Sequence, residues 1–299
     1  MNISDWNANR QSIRTPYGEI AYVERGSGPA ALFVHGVLLN SYLWRDALER
    51  LDSERRCIAL DLMGHGATRV ANEQDLSFEA HAAMIAAFLD AIGLDQVDLV
   101  ANDSGGGISQ IFAANNPQRV RTLTLTNCDT HDNWPPEALA GFEAIVKSGK
   151  FLETFRPLAS NPDAVRQAFA TAYEHPEQLS EETIAAYLTP LIANEESGRC
   201  IERFMTSGGN EQTVRVESKL RQLQASTLIM WATEDVFFEK KWAYWLKDTI
   251  PGAVEVIEVE GAKLFFPEER PEFFADELRA FWNAHSRVGR TMSAASKAE

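Results

Sequence analysis

The stretch VANDSGGGIS, residues 100–109, sets an aspartate and a serine side by side between an apolar run and three glycines. Its rhythm, a reactive residue flanked at two positions by small ones, suits a sharp turn from strand to helix. With Asp103 at the tip, the flanking small residues are Ala101 and Gly105; with Ser104 at the tip, Asn102 takes the leading small position. Asp103 fits better, and Ser104 stands as the alternative. The two residues imply different chemistry. A serine there attacks acyl carbon. A carboxylate is a weak acyl nucleophile but can attack an sp³ carbon, displace its leaving group and become an ester of the enzyme. Water must then cleave that ester, a step that calls for a base such as a histidine held by a second acid. The glycines resemble a phosphate loop only superficially, because they also suit a helix packed closely at such a turn.

Strands and helices must position this turn. AALFVHG (30–36), CIALDLMG (57–64), VDLVAND (97–103), VRTLTLTNC (120–128), STLIMWA (226–232) and AVEVIEVEG (253–261) read as strands, mostly near-continuous in Val, Ile, Leu and Thr, as expected where helices cover both faces. Between them SYLWRDALERL, SFEAHAAMIAAFLDAIG, GISQIFAANNP and KKWAYWLKDTI read as helices. This alternation predicts a mostly parallel sheet. Two runs within QSIRTPYGEIAYVERG alternate more strictly and predict an antiparallel pair at the sheet edge. From Trp134 to about Val216 the pattern stays helical, which predicts an inserted cap over 134–216 on a core of residues 1–133 and 217–285. The polar tail, 286–299, is expected to be disordered.

The bulk properties exclude more than they assign. The 299 residues carry a net charge of −15, which argues against nucleic acid and anionic membrane surfaces, both of which need a basic footprint. Of the three cysteines, Cys57 and Cys128 lie in apolar runs, as expected for buried, reduced thiols. No apolar run approaches the ~20 residues of a membrane span, and a cytoplasmic location is expected. No metal-ligand cluster or dinucleotide motif is present, so no cofactor or metal is expected. The partner is expected to be a small-molecule substrate, and a homodimer is left open.

FVHG, the turn at Asp103 and the strand–helix order together resemble the α/β-hydrolase fold, over roughly residues 12 to 285. HGVLLNSYLWRDAL (35–48) resembles the loop and helix after the third strand in haloalkane dehalogenases and epoxide hydrolases; DLMGHGATR resembles their D-x-x-G-H-G segment, and WATEDVFF the acid-bearing loop after the seventh strand. The resemblance implies an eight-stranded, mostly parallel sheet with helices on both faces and a helical cap. It implies Asp103 as nucleophile, Asp235 as the acid, and an oxyanion hole formed by the backbone N–H groups of Val37 and Ser104.

The sequence departs from the family where the histidine belongs. The phrase EGAKLFFPEERPE puts Leu264 at that position, and no histidine lies between His175 and His285. His131, in the loop after the sixth strand, is the candidate replacement. Asn127 and Asp129 stand where another branch keeps its acid. Ser104 replaces a halide-stabilising tryptophan, Val37 an asparagine, and Leu38 the proline of H-G-x-P. His35, Trp134, Tyr173, Tyr187, Leu264 and Phe265 are the expected substrate neighbours, the two tyrosines because epoxide hydrolases hold the epoxide oxygen with a cap pair.

Three functions follow. The first is a hydrolase acting through Asp103 on a small apolar molecule. The second is a lyase or isomerase with Asp103 as general base, and the third a ligand-binding protein on the same fold.

Overall fold

The computed structural model describes residues 1–285; the 286–299 tail, expected to be disordered, lies outside the described residues. Eight strands form one sheet: β1 (Arg10–Thr15), β2 (Gly18–Arg25), β3 (Ala30–Val34), β4 (Arg56–Leu60), β5 (Val97–Asp103), β6 (Val120–Cys128), β7 (Ser226–Ala232) and β8 (Ala253–Val259). Their spatial order is β1-β2-β4-β3-β5-β6-β7-β8. The two strictly alternating runs pair as an antiparallel hairpin at the edge, and β2 also runs antiparallel to β4; every other pairing is parallel. β3 and β5 are buried at every residue. Their uninterrupted apolar runs follow from that burial, since helices cover both sheet faces.

Helices α1 (Ile3–Ala8), α2 (Arg45–Leu51), α3 (Phe78–Ala91) and α4 (Ser104–Asn115) precede or separate these strands. Ser77 caps α3 by accepting from Ala80 N–H, which satisfies one of the free donors of its first turn. α4 is buried along nearly its whole length, and its three glycines let it lie close to the sheet. The segment between β6 and β7 carries α5 (Ala140–Lys147), α6 (Phe151–Ala159), α7 (Pro162–Phe169), α8 (Glu181–Ile192), α9 (Glu195–Thr206), α10 (Glu211–Arg215) and α11 (Glu217–Leu220), with no strand among them. α12 (Lys240–Thr249) follows β7, and α13 (Phe266–Glu269) and α14 (Pro271–His285) close the described chain. α14 packs on α2. No helix of the described residues is long and apolar enough to cross a membrane.

Parallel strands bring their C-terminal ends to one side. Asp103, Cys128–Asp129 and the loops after β7 and β8 therefore gather at one edge of the sheet, where ligands bind in open α/β folds.

Candidate active site

Asp103 ends β5 with φ 56° and ψ −137°, a backbone state that non-glycine residues seldom adopt and that is retained at functional turns. The turn is tight. A Cβ on Gly36 would collide with the Asp103 carboxylate, one on Gly105 with the His35 carbonyl, and one on Gly106 with Cys128. The small residues are thus required by close backbone approach.

The Asp103 side chain is 3% exposed, and its carboxylate accepts from the backbone N–H groups of Ser104 and Val37. Those two donors stabilise the charged form, yet burial outweighs them and, with the nearby charge of Asp235, pushes the group up to about 7. The carboxylate faces a cavity of about 320 Å³. Val37, Leu38, Leu39, Leu264, Phe265, Phe237 and Phe238 line it from the sheet layer, Leu139 from the turn before α5, and Phe142, Ile145, Phe155, Leu158 and Phe169 from α5–α7. Thr154 and Thr171, both exposed, mark its mouth. No histidine is among the lining residues.

The family model for the alpha/beta hydrolase fold matches residues 29–269. The chain belongs to this family. Haloalkane dehalogenase 2 of Mycobacterium tuberculosis is 28% identical over 273 residues, covering 86% of this chain and 89% of the relative. A haloalkane dehalogenase of Mesorhizobium japonicum is 41% identical over 137 residues, 44% of each chain. Among solved structures, the epoxide hydrolase CorEH superposes with a TM-score of 0.77 at 20% identity, over 92% of this chain and 98% of that one. The haloalkane dehalogenase DbeA of Bradyrhizobium elkani USDA94 gives 0.75 at 21%, over 93% and 99%. These superpositions show a shared fold.

Around the hydrolase-fold cavity the other expected residues divide. Leu264 and Phe265 line it. The loop that carries them is fixed twice: Asn102 Nδ2 donates to the Leu264 carbonyl at 3.1 Å, and Phe265 N–H donates to the Ala172 carbonyl at 3.1 Å. Asp235 is 8% exposed and stands beside the lining residue Phe237, whose N–H donates to its Oδ1 at 2.8 Å. Asn127 Nδ2 donates to Asp235 Oδ2 at 2.8 Å, while Asn127 Oδ1 accepts from Ala232 N–H at 2.7 Å. Asn127 therefore clamps the β7 loop. Burial nonetheless raises Asp235 to about 7.

Five expectations need correction. His131 Nε2 sits 3.1 Å from Glu217, and its ring packs at 4.8 Å on Trp245, outside the cavity; the carboxylate and the indole draw it to the surface of α11 and α12. His35 is fully buried: its Nε2 accepts from Leu62 N–H at 2.9 Å and its Nδ1 lies 2.8 Å from the Gly36 carbonyl, so it braces the loop rather than touching a substrate. Burial lowers it to about 3, which keeps the ring neutral. Trp134 packs against Phe78 and Phe204, with ring centroids 4.7 and 6.2 Å away. Tyr173 and Tyr187 donate to Glu268 at 2.6 and 2.8 Å, and Arg45 completes the set, so neither hydroxyl points at the cavity.

The phenylalanines of α5–α7 escaped the sequence reading. The signal was present in part: Leu139, Phe142 and Ile145 recur at three-residue spacing, the step that lines up one face of a helix.

Proposed function

We propose that this chain is an α/β-fold hydrolase of the haloalkane dehalogenase-like kind that takes a small apolar molecule and reacts with it through Asp103. The observation that carries this reading is the Asp103 carboxylate at the inner end of an apolar cavity, held by two backbone N–H groups. In the first step an Asp103 oxygen attacks an sp³ carbon. The bond from that carbon to its leaving group breaks, the leaving group takes the electron pair, and an alkyl ester of Asp103 remains. In the second step water adds to the ester carbonyl and the Val37 and Ser104 N–H groups hold the resulting oxyanion; the intermediate then collapses, the bond to the alkyl oxygen breaks, that oxygen takes the proton of the added water and leaves as the alcohol, and the Asp103 carboxyl group is restored. With Leu264 where the family keeps its histidine, the second step lacks its usual base and is slow. Residues 134–216 act as a cap that supplies most of the apolar wall, over a core of 1–133 and 217–285.

Intact-mass spectrometry after incubation with haloalkanes and epoxides tests the reading. The expected result is a persistent adduct at Asp103 that is absent in Asp103→Asn. Were no member of the panel to add mass, the nucleophile reading would fail.

A second reading rests on the same carboxylate. A group poised near 7 in an apolar pocket suits proton abstraction, so Asp103 would serve as the general base of an isomerase or lyase. Solvent deuterium entering a recovered apolar carbonyl or alkene substrate, with no mass added to the protein, would favour it.

A further inference from the structure

Behind Asp103 lies a carboxyl group that neither step uses. Asp129 follows β6 and is fully buried. Neither of its oxygens meets a hydrogen-bond partner, and the neighbouring Ser104 Oγ is unpartnered as well. Ser104 is close enough for its hydroxyl to act on the Asp129 carboxyl; as a donor it would favour the ionised form, but burial and the charge of Asp103 outweigh it. Asp129 also presses on the first turn of α4, because a Cβ on Gly107 would stand 3.0 Å from the Asp129 Cβ. Gln110 Nε2, on the next turn, donates to the Asp129 carbonyl at 2.8 Å, so the backbone here is tied down while the side chain is not. A buried, ionised carboxylate without a partner is strongly disfavoured, and such groups stay protonated instead. Among the described residues no cation comes near. The charged groups that reach Asp129 are the carboxylates of Asp103 and Asp235, and Cys128 beside it is a buried thiol.

We propose that Asp129 is a positioning residue of the site: it stands as a neutral acid, donates its proton to Ser104 Oγ, and so fixes the first turn of α4, whose Ser104 N–H holds the Asp103 carboxylate. The bond formed is O–H···O between two groups that otherwise have none. The proton stays on Asp129, and no bond is broken. Burial comes first and the charge of Asp103 second in holding the group well above the ordinary carboxylate range. The proposal rests on Asp103 carrying charge; it holds whether Asp103 is nucleophile or base.

Infrared difference spectroscopy on the full chain tests it. At roughly pH 9, two units above Asp103, most exposed and poised carboxylates are ionised. The carboxylic C=O stretch of Asp129 should persist there and vanish in Asp129→Asn. In Asp103→Asn the neighbouring charge is gone, so the same band should disappear at lower pH than in the parent. The positioning role has its own readout, the midpoint at which Asp103 ionises. Asp129→Asn keeps an N–H donor for Ser104 and should leave that midpoint in place, whereas Asp129→Leu removes the donor and should raise it. A carboxylic band that survives in Asp129→Asn, or one absent from the parent at high pH, overturns the neutral-acid assignment. An unmoved midpoint in a folded Asp129→Leu overturns the positioning role. Should Asp129→Leu fail to fold, Ser104→Ala, which keeps the N–H but removes the hydroxyl, is read for the same midpoint and an unmoved value there overturns the positioning role, while the band shift in Asp103→Asn tests the neutral-acid assignment. Mass capture by Asp103 is measured separately, so failure of the nucleophile reading would be seen as such.

Discussion

Asp103 and Glu268 are both buried carboxylates, and they are treated in opposite ways. Glu268 receives a guanidinium from Arg45 and hydroxyls from Tyr173 and Tyr187. Asp103 receives two backbone N–H groups and no cation, with Asp235 and Asp129 as further acids nearby. The first arrangement joins elements: α2 and α13 of the sheet layer are tied to α8 and to the loop after α7. The second leaves a charge under-compensated in front of an apolar cavity. A carboxylate with three strong donors is part of the framework, whereas one with two weak donors and a strained backbone is available for chemistry.

The sharpest way to break this contrast is Asp103→Asn. It should abolish capture of any alkylating substrate, by about four orders of magnitude or more, as read from the rate of mass gain. An unchanged rate would place the chemistry elsewhere. At Glu268 the test is Arg45→Met, which strips the cation from a buried acid. It should cost about 3–5 kcal/mol of stability in denaturant titration, and Arg45→Met with Glu268→Gln should regain much of that. A neutral Arg45→Met would mean that Glu268 is not held by charge.

On the proposed reading, Leu264→His offers the second step the base that it calls for. In the variant, loss of the adduct measured by mass should be about 10²–10⁴-fold faster, with Asp235 orienting the imidazole. An adduct equally persistent in parent and variant would show that geometry at 264, rather than residue type, has diverged.

The pH dependence gives Asp103 a further signature. Asp103 rises from 3.8 unfolded to about 7 folded, so the folded state binds the extra proton between those values. Its contribution to stability is full below about pH 4 and is lost as pH climbs to about 7, and Asp235 adds a decline in the same window. Capture by Asp103 should move the other way, rising about tenfold per unit below 7 and levelling above it. Asp103→Asn should flatten its share of the stability slope. The smallest effect belongs to Tyr173→Phe, which removes one of three donors to Glu268 and should cost about 1.5–3 kcal/mol in the same denaturant assay. A loss near zero would make Tyr173 redundant to Arg45 and Tyr187.

Much of the fold was legible because it depends on local pattern. The apolar run of β5 announced a strand covered on both faces, and the small residues Ala101 and Gly105 around Asp103 announced a tight turn, although the groups that crowd it, His35 and Cys128, come from distant parts of the chain. The hairpin of β1 and β2 was equally open to reading from its alternation. The side chains of the segment between β6 and β7 were not. Tyr173 and Tyr187 were read as facing a substrate, but their direction is set by Glu268 and Arg45, which lie more than 80 positions away along the chain. His131 was misplaced for the same reason, since Glu217 and Trp245 claim it from a distance. Helical spacing says which residues share a face; it does not say what that face meets.

The cavity has a consequence for selectivity. Apart from Asp103 and the two threonines at its mouth, its walls are hydrocarbon and aromatic ring. Such a chamber behaves as a small oil phase in contact with water, and candidate molecules should rank in it by their oil–water partition coefficients. Each added methylene that still fits contributes about 0.8 kcal/mol, roughly a fourfold gain in occupancy. A homologous series should therefore climb on a straight logarithmic line and then drop at the length where the chamber is full.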